Sequence, residues 1–339
     1  MDITDRFAAA VARPDPEVPL DEVALLVAAH AYPGLDVDGQ LRRLDDLAAR
    51  CPEPTLDGLR ELLFGVLGFD GARADYYDPR NSYLNDVLDR RRGLPILLSL
   101  LAMEVGRRVG VPLAGVGMPG HFLVRDRVDP EVFIDPFAGG VLLDRAGCEA
   151  RYHEVQGALA PFDPTWLDPT PRLDIVARVL ANLRVAHTRA RRPAALAWVL
   201  GLRVLLPGAD PAQRQALAAV LARVGRVTEA AAELDRVAEE VTDPETAVRA
   251  RAAAQEVHDP GDPAAGAELA GPVEAERALV EAHRPLEVAR GEEHPAGQHL
   301  HDRHRRRIAA GAGGGRPLSS GGPAAGGRRR APGRPSRGR

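Results

Sequence analysis

Lysine is absent from the 339 residues, so all 44 basic side chains are arginine. Beside the heavy use of Ala, Gly and Pro, this is the mark of GC-rich codons and asks for no functional explanation. Cysteine is nearly absent too. Cys51 and Cys148 are too few for a disulfide framework and lack metal-site spacing, which fits a reducing, cytoplasmic setting with no metal and no cofactor. Aromatic residues make up only 4% against a hydrophobic fraction of 45%, so a globular core has to be built mainly from Leu, Val and Ala. No stretch is apolar enough to span a bilayer, and the early acids of MDITDRFAAAVARPDPE argue against a signal peptide or a membrane anchor. A Walker-type loop, a dinucleotide glycine fingerprint and an HExxH pair are also missing, which leaves nucleotide binding and zinc proteolysis unsupported. The net charge of −4 hides an acidic body and an arginine-rich final forty residues, so the body is not expected to bind nucleic acid.

What is present divides the chain into three. The length predicts two domains and a tail. From Leu20 to Leu67 apolar residues recur at helical spacing, broken at Pro33-Gly34 and between Pro52 and Asp57, which predicts three short helices. Asn81 or Ser82 is placed to cap a helix through Leu84, Val87 and Leu88, and Pro95 suits the first turn of the next helix, which runs to Gly110. Short apolar pieces then follow, Leu113 to Met118, His121 to Arg125, Val132 to Asp135 and Val141 to Leu143, and read as an antiparallel sheet. Helices followed by a sheet predict an α+β domain over residues 1–170. Ala-rich helical pairs return over 171–257, separated at Arg191-Arg192-Pro193, Pro207-Gly208 and Val224-Gly225-Arg226 in the manner of tetratricopeptide repeats. Residues 258–339 are Gly, Pro, Ala, Arg and His with little periodicity, a composition expected to stay disordered.

The phrases YYDPRNSYLNDVLDRRRGLPILLS, GVGMPGHFLVR and FIDPFAGG resemble the bacterial SirB-one family, a branch of the transglutaminase-like superfamily whose members often end in tetratricopeptide-type repeats. The resemblance covers roughly Leu20 to Val257, with one departure at Ala72, where the family commonly has Asn. It implies a papain-type thiol-enzyme core: a helix carrying the nucleophile in its first turn, then strands supplying an imidazole and the carboxylate that orients it. In that layout His121 is the base and Asp135 its orienter, and the thiol position falls on Pro95, which has no nucleophile. Ser99 lies about 6 Å further along the same helix and reads as a packing residue. Neither Cys51 nor Cys148 precedes a helix at the required place, so both read as ordinary free thiols.

The resemblance therefore implies a non-catalytic, protein-binding or regulatory protein whose His121–Asp135 pair serves the fold. The alternative is an active hydrolase or acyl transferase using that pair with another nucleophile. A polar cluster precedes the proline-led helix, and Arg80, Asn81, Arg91 and Arg92 within it suit an anion or a peptide carboxylate. Its mixed charges favour internal fastening of the arginines to Asp75, Asp78, Asp86 and Asp89. The expected partner is a protein, met through the helical repeats and the polar cluster. In the tail, HLHDRH and the arginine runs suit adventitious metal capture and nonspecific phosphate contact, and no specific nucleic acid and no membrane is expected.

Overall fold

The computed structural model describes residues 1–258. The tail expected from residue 258 onward, with its histidine cluster and arginine runs, lies outside the described residues apart from His258 itself.

The N-terminal half is a set of short helices with polar caps. Asp2 starts α1 (Ile3–Val11), Asp36 starts α3 (Val37–Ala49) by accepting from the Gly39 amide, and Thr55 starts α4 (Leu56–Arg60) by accepting from the Gly58 amide. Between them α2 (Leu20–Ala31) is buried almost all round, as its run of Val, Ala and Leu requires. α4 passes directly into a π-helical turn at Glu61–Val66. A two-residue parallel ladder then joins β1 (Asp70–Gly71) to β2 (Arg92–Gly93), with α5 (Leu84–Arg90) between them.

The expected proline-led helix is α6 (Pro95–Val109). Pro95 occupies its first position, where a missing N–H costs nothing, and Gly110 ends it at φ +80°. α6 is buried from Pro95 to Gly106 and forms the axis of the largest core. Against it lies a four-stranded antiparallel meander: β3 (Leu113–Val116), β4 (Leu123–Asp126), β5 (Phe133–Asp135) and β6 (Val141–Leu143), in that order. Alternation decides which side chains meet α6. Val124, Ile134 and Leu142, paired across the sheet, join the α6 core, while Leu123, Phe133 and Leu143 turn to the other face. That second face is covered by α7 (Arg145–Gln156), through Cys148 and Tyr152, and by Leu167.

Five further helices complete the described chain: α8 (Arg172–Arg189), α9 (Pro193–Arg203), α10 (Pro211–Arg223), α11 (Val227–Glu240) and α12 (Pro244–His258). Ile175, Val176, Val179, Leu180 and Leu183 of α8, with Val199 and Leu202 of α9, belong to the same core as α2 and α6. Other α9 side chains, Leu196, Ala197 and Leu200, belong to a second core with α10 and α11. The start of α8 is fastened from outside its own helix, because Asp15 accepts from the Arg172 and Leu173 amides at 3.1 and 2.8 Å. The Arg172 guanidinium also meets the buried carboxylate of Glu104 on α6 at 3.1 Å. Beyond α9 each helix packs mainly on its neighbour in sequence. Among the described residues no helix is long and apolar enough to cross a membrane.

Candidate functional site

The sheet brings His121 and Asp135 together, as their expected roles require. β5 pairs with β4, and His121 sits just before β4 in the turn after Gly120, so its ring reaches the end of β5. His121 Nε2 lies 3.1 Å from Asp135 Oδ2, with His121 1% and Asp135 0% exposed. The same oxygen is 3.0 Å from Nε of Arg151 on α7. Both approaches are close polar contacts outside good hydrogen-bond alignment. The other oxygen, Oδ1, accepts from the Phe137 and Ala138 amides at 3.1 and 3.2 Å. Burial alone would raise the Asp135 pKa, but His121, Arg151 and the Ala138 amide more than offset it and hold the carboxyl below its ordinary value. His121 Nδ1 is buried with no hydrogen-bond partner, and the ring stands edge-on to Phe137 at 6.1 Å between centroids.

Pro95 opens α6, the helix packed on β4, and puts a pyrrolidine ring where the resemblance led one to expect a nucleophile. Ser99, one turn on, is buried and donates to the Phe122 carbonyl at 3.4 Å, a link between α6 and the His121 strand. Cys148 sits inside α7, a helix with no counterpart in the sequence reading. There Asp144 accepts from the Gly147 amide as its cap, and the thiol is fully buried one turn before Arg151. Burial, reinforced by the charge of Asp135, pushes the Cys148 pKa far above that of a free thiol, so it is an unreactive packing group. Cys51 follows the end of α3, donates to the Glu53 carbonyl at 3.1 Å, and also has its pKa raised by burial.

Arg151 is the participant that sequence reasoning missed. Its signal was the Asp144 cap, which starts a helix placing Cys148 and Arg151 three residues apart on one face.

The polar cluster departs from expectation in three ways. Neither Asn81 nor Ser82 caps α5. Tyr83 holds that position without a side-chain bond, and Asn81, wholly buried, donates to the Asp75 and Tyr76 carbonyls while accepting from Arg90 at 3.0 Å. Asn81 is drawn inward because the Asp75 and Tyr76 carbonyls, just before the turn at Pro79–Ser82, need donors. Second, of the arginines only Arg80 is in direct contact with one of the four acids, pairing with Asp78 at 2.5 Å. Asp89 instead pairs with Arg43 of α3, and Asp86 accepts from Tyr32 at 2.7 Å. Third, Arg91 and Arg92 turn back to the Leu67 and Gly68 carbonyls at 3.0 and 2.9 Å, closing the turn before β1. The four residues are thus not gathered in one concavity: Arg80 lines a groove against α8 and α9, and Asn81 lies beneath the surface. Among the described residues no group of His, Cys, Asp and Glu is arranged to hold a metal ion.

Comparison with known proteins bears on this geometry. Residues 21–181, from α2 into α8, match the family model described as the transglutaminase-like superfamily. A UPF0162 protein of Xylella fastidiosa is 40% identical over 191 residues, covering 52% of this chain and 68% of that protein. The chain belongs to the UPF0162 family. The UPF0162 protein of Pseudomonas aeruginosa is 33% identical over 184 residues, covering 52% of this chain and 67% of its own length. F-box only protein 21 of Mus musculus is 41% identical over 103 residues, which is 28% of this chain and 16% of that protein. No solved structure matches.

Proposed function

We propose that this UPF0162 protein is a non-catalytic, cytoplasmic member of the transglutaminase-like superfamily, of the SirB-one type, that acts by binding another protein. The observation that carries the reading is the sealed His121–Asp135–Arg151 cluster behind a helix that opens with Pro95. A general base works only within hydrogen-bond reach of the proton it removes, and the superfamily's nucleophile position offers none. A carboxylate shared by an imidazole and a guanidinium, with two backbone amides on its other oxygen, instead fixes the β5 turn and docks α7 on the sheet. The neighbour-on-neighbour packing of α9 to α12 supports a tetratricopeptide-like reading, and such stacks offer an extended surface to a partner.

One observation favours the alternative hydrolase or acyl transferase. With Nε2 on Asp135, His121 leaves Nδ1 unpartnered, the orientation of a working base. Assays of amine incorporation, deamidation and peptide cleavage decide between the two, run on the parent, on a Cys51→Ala/Cys148→Ala double variant, and on His121→Ala. No turnover is expected in any of them, with His121→Ala less stable by about 1–3 kcal/mol because buried Asp135 loses its imidazole partner. Parent turnover that disappears in His121→Ala at unchanged stability would overturn the non-catalytic reading.

A further inference from the structure

A groove of about 750 Å³ lies between the Tyr77–Arg80 segment, the end of α2 and the α8–α9 turn, well within the size range of small-ligand sites. Its floor is aromatic. Trp198 of α9 is half-buried, stacks on His30 at 5.6 Å between centroids and meets the edge of His187 at 5.8 Å, while Tyr83 lies 6.5 Å away.

Several donors on the groove wall are satisfied, Tyr32 by Asp86 and Arg80 by Asp78, but one end of the groove carries donors with no acceptor among the described residues. α9 begins at Pro193 with no side-chain cap, so the Ala194 and Ala195 amides, both on the groove wall, lack partners; the next amide, of Leu196, bonds Arg192. Arg192 lines the same wall, and among the described residues its guanidinium forms no ion pair or hydrogen bond. His187 is 3% exposed and also lines the groove. Burial and the charge of Arg192 push its pKa down to about 4, so the ring is neutral near pH 7. Tyr83 Oη lies 2.9 Å from its Nε2, and the phenol hydrogen has no other acceptor among the described residues. Nε2 therefore accepts, Nδ1 carries the ring's hydrogen, and Nδ1 has no partner. The acid on the groove wall, Asp78, is already neutralised by Arg80.

We propose that this groove binds a carboxylate attached to an aromatic ring, with the carboxylate at Arg192 and the Ala194 and Ala195 amides and the ring against Trp198. Uncapped amides at a helix start attract an anion, and an adjacent guanidinium strengthens the attraction. The inference stands on the groove alone and is independent of whether His121 is catalytic. The ligand chemistry has two sources, a free aryl acid or the carboxyl end of a peptide closing with an aromatic residue.

Tryptophan fluorescence of the full chain, in a Trp166→Phe background so that Trp198 reports alone, tests it. The probes are phenylacetate, a short peptide ending in phenylalanine, and the same peptide as its C-terminal amide. Saturable quenching by phenylacetate is expected if a small acid suffices, and by the free-acid peptide alone if the source is a chain end. Arg192→Gln, exposed and unpaired, should keep its melting temperature and weaken binding about tenfold, the value of one charge-assisted hydrogen bond. Equal binding of the acid and amide peptides, unchanged affinity in Arg192→Gln, or no saturable response to any probe would each overturn the proposal.

Discussion

Asp135 accepts from two amides on one oxygen, and its other oxygen lies beside the His121 imidazole and the Arg151 guanidinium. His187 shows the opposite solution, a buried imidazole kept neutral by its surroundings. The sign of its pH effect follows directly. Below 6.5, its ordinary value, the unfolded chain takes up a proton that folded His187 refuses until about pH 4, so stability should fall as the pH drops through that window. Asp135, whose pKa is lowered on folding, adds its own loss only further down, as the pH falls below the unfolded value of 3.8. Urea midpoints of the parent and of His187→Gln at about pH 7 and about pH 5 would show this, the parent losing more than the variant. Equal losses would remove His187 as the cause. His121 and Asp135 were legible in the sequence through the resemblance, whose layout pairs an imidazole and a carboxylate on neighbouring strands. Arg151 and His187 were not, since each acts across a helix interface that no local pattern announces.

At the scale of elements, the sheet was readable from short apolar pieces broken by Gly and Pro, and α6 from Pro95 and Gly110. The ladder between β1 and β2 was not, because two residues carry no period. That ladder nevertheless holds the turn before α6 against the end of β5. Gly71 is its tightest point, since a Cβ there would stand 2.6 Å from both the Phe137 carbonyl oxygen and its ring. Gly71→Ala should therefore cost about 1–3 kcal/mol through forced displacement of backbone, read as a lower urea midpoint at unchanged slope. A neutral substitution would show that the Phe137 turn yields easily. The inward turn of Asn81 was hidden for a related reason: capping preference is local, whereas the carbonyls it serves are exposed by the folding of the whole Asp75–Ser82 loop.

For the whole molecule, the sequence marks a change of texture near residue 170, but the main core continues through α8 and part of α9. Asp15 and Glu104 hold the start of α8 from two different elements. A chain ending at residue 170 should lose cooperative unfolding, while one ending at residue 206 should keep it, because only the second retains Leu180, Leu183, Val199 and Leu202 in the core. Two sharp, similar transitions would show that α8 and α9 are dispensable. The texture change follows composition, and composition cannot show which face of an Ala-rich helix meets which neighbour. Because α9 contributes to both cores and the helices after it lean mainly on their immediate neighbours, the C-terminal stack should come undone like a zipper with one anchored end. Amide hydrogens should exchange fastest in α12 and progressively slower toward α9, so the C-terminal helices open and reclose while the sheet and its sealed histidine stay closed.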